Sequence, residues 1–312
     1  MIQIDILLSE DQIAQEFIDA LEHHNLPEKF FYWFPLSIRA WINLCRDGAY
    51  RNFVRSHSVL QNHAAEIVSM LPSEPIELIS LGAGQGTKDF LIMEQLKLKG
   101  KYLNYRPVDA SQGLLEIACQ SAKDKNFICR GLKAELNNDT HLSVMQAILS
   151  ENPRLIMILG NTLGAFDPLK FAAKLGSLIR PQDFLIIDGE LFNHSDTLAG
   201  YDNPINRQFA FGPLSSVGLS EPNDGSLHIK TDVDNRQHGF YRIRKNFKAC
   251  RDLKIMLAGE TVKILSETNI EMSWSYKYDH DALINLTTSS GMQLEAEYLS
   301  EDKRFLTLLV KK

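Results

Sequence analysis

Between residues 77 and 188 the chain alternates short apolar runs with longer amphipathic stretches. The apolar runs at 77–81, 105–109, 126–130, 155–159 and 184–188 read as strands. Helical spacing of apolar residues fills the gaps, over 88–99, 112–123, 142–151 and 169–179. Strands that alternate with helices form a parallel sheet with right-handed crossovers. Such a sheet binds its ligand beyond the carboxyl ends of its strands.

The first of those ends carries glycines at alternate positions, in Leu81-Gly82-Ala83-Gly84-Gln85-Gly86-Thr87-Lys88. Glycine accepts positive φ and has no Cβ to block a ligand. The amides of the turn and the N-terminus of the following helix suit a carboxylate or phosphate. A GxGxG turn serves NAD, FAD and S-adenosylmethionine folds alike. Asp109 ends the second strand, where an acid either binds the ribose hydroxyls of an adenosyl group or caps the helix that follows Ser111. Beyond the third strand, Glu135 or an amide beside it, at Ala134, can read an adenine edge; the alternative is a surface acid. Gly160-Asn161-Thr162-Leu163-Gly164-Ala165-Phe166-Asp167-Pro168 follows the fourth strand and faces the same crevice, and Asp167-Pro168 also suits a helix start.

Other function classes find less support. A formal net charge of -6 argues against nucleic acid or an anionic membrane as partner. No segment approaches the roughly 18 apolar residues of a membrane span. The start, Met1-Ile2-Gln3-Ile4-Asp5, lacks the basic region and long apolar core of a signal peptide. The 4 cysteines form no CxxC, and the 9 histidines show no HExxH, so no metal site is expected. A cytoplasmic protein with reduced thiols is the expectation. There is no GxSxG and no Walker Lys-Ser/Thr.

Outside the alternating region the pattern changes. Residues 10–71 read as helices around an aromatic cluster, Phe30-Phe31-Tyr32-Trp33-Phe34. After Asp188 come Gly, Pro and Asn turn signals, then strand patterns at 227–233, 239–244 and 269–275. A helix over 279–290 precedes a hairpin of 292–299 with 305–310. Aromatics and hydroxyls of Tyr201 and of Trp274-Ser275-Tyr276 can wall a pocket or simply pack at a domain boundary.

Taken together, these stretches resemble the histidine-specific S-adenosylmethionine-dependent methyltransferase family. That family includes ergothioneine-type Nα-methyltransferases and dimethylallyltryptophan N-methyltransferases. Leu26-Pro27-Glu28-Lys29-Phe30-Phe31-Tyr32 is similar to its Pro-Lys-x-Phe-Tyr-Asp run. The glycine turn resembles its Gly-Ser-Gly-Ser/Thr-x-Lys loop, and 159–168 its Leu-Gly-Ser-x-Ile-Gly-Asn-Phe-x-Pro loop. Ser273-Trp274-Ser275-Tyr276-Lys277-Tyr278 resembles Glu-x-Ser-x-Lys-Phe/Tyr.

The resemblance implies a class I, Rossmann-like α/β fold with a C-terminal antiparallel hairpin. It implies an inserted α+β substrate domain, residues 190–276, joined by N-terminal helices, residues 1–56. The donor domain would be 57–189 with 277–312. S-adenosyl-L-methionine would be held by Gly82, Ala83, Gly84, Gly86, Lys88, Asp109, Ala134, Glu135, Gly160 and Asn161. A small-molecule amine would meet Tyr50, Ala165, Tyr201, Ser273 and Ser275, with Tyr32 and Tyr201 as catalytic residues. Tyr201 would orient the amine, and Tyr32 would accept its proton through water. Ring faces of Trp33, Tyr50, Trp274 or Tyr276 would stabilise a methylated ammonium.

Departures from the family pattern concentrate at the acceptor. The family asparagine that holds the acceptor's polar end falls at Ala165, and the glutamate that reads an imidazole falls at Ser273. The family's Asp after Phe-Tyr is Trp33, and its Tyr-Tyr-Pro-Thr-Arg region reads Tyr50-Arg51-Asn52-Phe53-Val54-Arg55. Each lost buried partner costs roughly 1–3 kcal/mol. The expectation is N-methylation of an amino acid or related amine other than free histidine. A nicotinamide-dependent oxidoreductase and a donor-binding protein without turnover are the alternatives.

Overall fold

A computed structural model describes residues 1–48 and 50–312. The N-terminal region contains β1 (Ile4–Ile6), α1 (Glu10–Glu22), a 3₁₀ turn (Glu28–Tyr32), α2 (Pro35–Asp47) and α3 (Arg51–Met70). The alternating region contains β2 (Ile76–Leu81), α4 (Asp89–Leu98), β3 (Tyr102–Asp109), α5 (Gln112–Asp124), β4 (Gly131–Lys133), α6 (Asp139–Ile148), β5 (Arg154–Ile158), a 3₁₀ turn (Thr162–Ala165), α7 (Pro168–Leu178) and β6 (Phe184–Glu190). Next come α8 (His194–Tyr201), α9 (Pro204–Ser216), β7 (Gly225–Val233), β8 (Phe240–Ala249), β9 (Leu253–Leu257), β10 (Glu260–Ile264) and β11 (Asn269–Tyr278). The chain closes with α10 (His280–Ser289), β12 (Gln293–Leu299) and β13 (Phe305–Lys311).

The main sheet has 8 strands in the order β1-β4-β3-β2-β5-β6-β13-β12. Pairings from β1 to β6 are parallel, while β13 runs antiparallel to β6 and to β12. This is the class I methyltransferase sheet with an added strand, β1, at the β4 edge. From β2 the chain moves to β3 on one side and later returns to β5 on the other. The loops after β2, β3 and β5 therefore open into one crevice.

Both faces of this sheet are covered, which explains the nearly continuous apolar runs. Ile79, Leu81, Ile156, Ile158 and Ile187 point into one core, with Phe171 of α7 and Leu283 of α10. Leu78, Leu155, Met157 and Ile186 point into the other, with Leu60 of α3 and Met93 of α4. A third core joins α1, α2 and α9 to the strands after β6, through Phe17, Leu44, Phe209, Phe247 and Val262. β11, β8 and β7 form a second antiparallel sheet, and β9 with β10 a separate hairpin.

Several elements differ from the sequence reading. The expected strand at 126–130 is displaced to Gly131–Lys133. Asn126 adopts φ 58, and the Phe127 amide bonds back to Ala122, so these residues finish α5. The helix expected over 142–151 starts earlier because Asn138 accepts the Thr140 and His141 amides. Asn193 and Asn203, read as turn signals, cap α8 and α9, and Pro204 begins the latter. Residues 4–6 belong to the main sheet and not to the N-terminal helices. α3 runs unbroken through residues 56 and 57. No described helix is long and apolar enough to cross a membrane.

Candidate active site

The glycine turn leaves β2 with Gly82, Gly84 and Gly86 at φ 72, 55 and 71. A Cβ on Gly82 would lie 2.6 Å from Thr162, so the loops after β2 and β5 approach too closely for a side chain there. The Gly82 and Ala83 amides donate to the Val108 carbonyl at 2.8 and 3.2 Å, tying the turn to the end of β3. One residue further, Asp109 accepts the Gly84 amide at Oδ2 and the Ser111 amide at Oδ1, both at 2.9 Å. Burial raises the Asp109 carboxyl's pKa, against the pull of the Ser111 and Gly84 amides. Helix capping is left to Ser111, whose hydroxyl accepts the Leu114 amide.

The loop after β5 is held by Asp188, at the end of β6. Its carboxylate accepts the Gly160 amide at 2.9 Å, the Asn161 amide at 2.7 Å and the Ser56 hydroxyl at 2.5 Å. Asn161 sits at φ 63 and its side chain is fully engaged. It donates to the Tyr276 carbonyl and to Ser275 Oγ, and accepts the Glu190 amide. Asn161 thus joins the loop to β6 and β11. Lys88 packs against Gly160, where any Cβ would collide with Nζ. Burial lowers the Lys88 pKa, opposed by the charges of Asp188 and Asp89.

These loops wall a cavity of about 410 Å³, within the range of small-molecule sites. Gly82, Ala83, Gly84, Lys88, Asp109, Ala134, Glu135, Gly160 and Asn161 line it. Tyr32, Tyr50, Ala165, Ser273 and Ser275 line the same cavity. Two expected site residues lie elsewhere. Gly86 is a buried backbone position, whose Cβ would meet the Tyr105 hydroxyl at 3.0 Å. Tyr201 lines a smaller cleft behind Tyr50 and is separated from the glycine turn. Glu135 keeps its place on the wall, but its carboxylate accepts from Lys29 at 2.8 Å and its amide donates to His141.

The Ser275 end of the cavity rests on a buried polar network. Glu190 accepts from Asn52 at 2.6 Å and pairs with Lys277 at 3.1 Å. Lys277 donates to Ser275 Oγ at 2.9 Å, and Asn52 donates to the Tyr201 hydroxyl at 3.3 Å. This network fixes Ser275 and Tyr201. Tyr32 donates to Glu28 Oε1 at 3.0 Å. Burial, then the Glu28 charge, pushes the Tyr32 pKa well above its ordinary value. Burial does the same at Tyr50 and Tyr201. All three phenols stay protonated at neutral pH.

The aromatic wall is not the one expected. Trp33 donates to Glu10 and packs on Phe17 and Phe34, away from the cavity. Tyr276 is buried and donates to Asp234 at 2.7 Å. Trp41 lines the cavity instead and touches Phe209, which lines the smaller cleft, at 5.3 Å; both rings lie beside Tyr32. Trp274 and Tyr50 do line the cavity. Among the described residues no cluster of His, Cys, Asp or Glu has the arrangement of a metal site.

A family profile described as "Histidine-specific methyltransferase, SAM-dependent" matches residues 13–312. Ergothioneine biosynthesis protein 1 of Neurospora crassa is 24% identical over 81% of this chain, and the match spans 29% of that protein's length. Histidine N-alpha-methyltransferase of Mycobacterium tuberculosis is 24% identical over 69% of this chain and 65% of its own. The 4-dimethylallyltryptophan N-methyltransferase easF of Epichloe festucae var. lolii is 21% identical, over 96% of this chain and 95% of its own. The profile match decides against the nicotinamide alternative. With sheet order, glycine turn and Asp109 in agreement, the chain belongs to the histidine-specific, S-adenosylmethionine-dependent methyltransferase family.

Proposed function

We propose that this chain transfers a methyl group from S-adenosylmethionine to the nitrogen of a small-molecule amine other than free histidine. The residues after β2 and β3 fit the donor. Asp109 lies on the cavity wall with one amide on each oxygen, which leaves acceptor lone pairs for ribose hydroxyls. The donor's sulfonium supplies an already activated methyl group.

One observation carries the acceptor reading. Ala165 and Ser273 line the same cavity as the glycine turn, at the two positions where the family's sequence pattern has an asparagine and a glutamate. A methyl and a short hydroxyl cannot replace those side chains. The 190–276 segment, taken here as the substrate domain, supplies Tyr201, Ser273 and Ser275. Ser275 and the protonated Tyr32 and Tyr50 then position the acceptor so that its lone pair faces the methyl. Trp41, Tyr50 and Trp274 exclude water around it.

Labelled methyl transfer over a panel of primary and secondary amines, with histidine included, tests the proposal. The expected result is S-adenosylhomocysteine formation that depends on the amine, with the label on nitrogen and histidine among the poorest acceptors. Efficient transfer to histidine, or no transfer to any amine, would overturn it.

A further inference from the structure

Glu28 has no counterpart in the site that the sequence led us to expect. It follows Pro27 in the 3₁₀ turn Glu28–Tyr32 and lines both the main cavity and the smaller cleft behind Tyr50. Its carboxylate therefore stands at the junction of the two. Oε1 accepts the Tyr32 hydroxyl. Oε2 is buried and, among the described residues, has no hydrogen-bond partner. The nearest cation, Lys245 of β8, is 3.9 Å from Oε2, too far for a hydrogen bond. A buried carboxylate oxygen with no donor is costly unless a ligand supplies one.

The surroundings indicate which donor. The cleft is lined by the rings of Tyr32, Trp41, Tyr50, Tyr201 and Phe209. Trp41 lies 5.5 Å from Tyr50 and 5.2 Å from Tyr32, centroid to centroid. Ring faces beside a carboxylate favour a cation over a neutral group. The cleft holds about 30 Å³, room for a water molecule or two. That is room for a single small head group at this junction, with the rest of the molecule in the main cavity.

We propose that Glu28 is the specificity-determining residue of the acceptor site, its free carboxylate oxygen and the surrounding rings selecting acceptors that arrive as protonated amines; the ammonium gives one proton to Oε2, which frees the nitrogen lone pair for the methyl. The inference rests on the amine reading proposed above and names the group that recognises it. It supplies a carboxylate from the 3₁₀ turn to a cavity where β11 offers only Ser273. Lys245 works against a bound cation, and its own pKa is lowered by burial despite Glu28. Its distance leaves Oε2 open.

Calorimetric binding to the chain saturated with S-adenosylhomocysteine tests this without turnover. The probes are 2-phenylethylammonium and its neutral isostere, 2-phenylethanol. The wild-type chain is expected to bind the cation about tenfold more tightly than the alcohol, the scale of one hydrogen bond to a charged group. Glu28→Gln keeps an acceptor for Tyr32 but loses the charge, and its ratio should fall to near one. Glu28→Asp should retain part of the preference. All three chains should bind S-adenosylhomocysteine equally. A wild-type chain with no preference, including one that binds neither probe, overturns the proposal. A preference that survives Glu28→Gln overturns the role of Glu28 alone, while labelled transfer to nitrogen still supports the amine reading. Transfer confined to hydroxyl acceptors overturns both.

Discussion

Asp109 Oδ2 accepts the Gly84 amide at 2.9 Å, so the acid that ends β3 braces the glycine turn that follows β2. One carboxylate thereby shapes the turn and presents its remaining lone pairs to the cavity. Asp109→Ala removes both. Affinity for S-adenosylhomocysteine should fall by about 1–3 kcal/mol, the range for a lost hydrogen bond to a charged group. Titration calorimetry reads this directly, and an unchanged affinity would remove Asp109 from the donor site.

Gly82→Ala places a Cβ 2.6 Å from Thr162 at φ 72. The left-handed backbone alone costs about 1–2 kcal/mol. Gly100→Ala at φ 68, with nothing within 4 Å of its Cβ, is the control for that strain. Both variants should lose similar stability from the backbone, and Gly82→Ala more. Only Gly82→Ala should also weaken S-adenosylhomocysteine binding. Equal donor affinity in the two would show that the close approach to Thr162 does not shape the site.

Ala165→Asn with Ser273→Glu restores to one cavity the two polar groups of the family pattern. Affinity for histidine should rise by about tenfold or more, the scale of one regained hydrogen bond to a charged group. Calorimetry on the S-adenosylhomocysteine complex checks it. No gain would mean that these positions do not face the acceptor.

The parts of the site that could be read in the sequence are those fixed by backbone geometry. Positive φ at Gly82, Gly84 and Gly86 leaves few alternatives to glycine. The alternating elements announce a parallel sheet, and its observed order places Asp109 beside the turn. What was not legible depends on tertiary approach. Trp33 and Trp41 lie on adjacent N-terminal elements, yet only Trp41 turns toward the cavity, because Trp33 is drawn to Glu10. Phe209 lies on α9, a helix whose Asn203-Pro204 start resembles a turn. The β9–β10 hairpin turns at Ala258-Gly259, both at positive φ, without the Asn-Gly that would announce it. Glu28 gains meaning only from Tyr32, Lys245 and the cleft, which sequence spacing does not bring together.

At the opposite end of the sheet, Asp183 is completely buried and accepts from Arg154 Nε at 2.8 Å and the Arg180 amide at 2.8 Å. Burial alone would raise its pKa, but the bonds from Arg154 and Arg180 more than offset this and hold it below the ordinary value. A carboxyl whose folded pKa is depressed stabilises the fold fully above its unfolded value, about 3.9, and loses that contribution as pH falls through the folded value. Asp183→Asn should cost about 3 kcal/mol at neutral pH, as expected when one partner of a buried pair is removed. The gap should narrow as pH falls below about 4. Urea unfolding of both chains at neutral and acidic pH checks it, and a gap independent of pH would contradict the pairing.

The crevice after β2, β3 and β5 is the proposed S-adenosylmethionine site. Parallel calorimetric titrations of the wild-type chain with S-adenosylhomocysteine and with NADH test it most directly. Saturable, one-to-one binding of S-adenosylhomocysteine and no comparable binding of NADH are expected. Tight binding of NADH with none of S-adenosylhomocysteine would contradict the assignment.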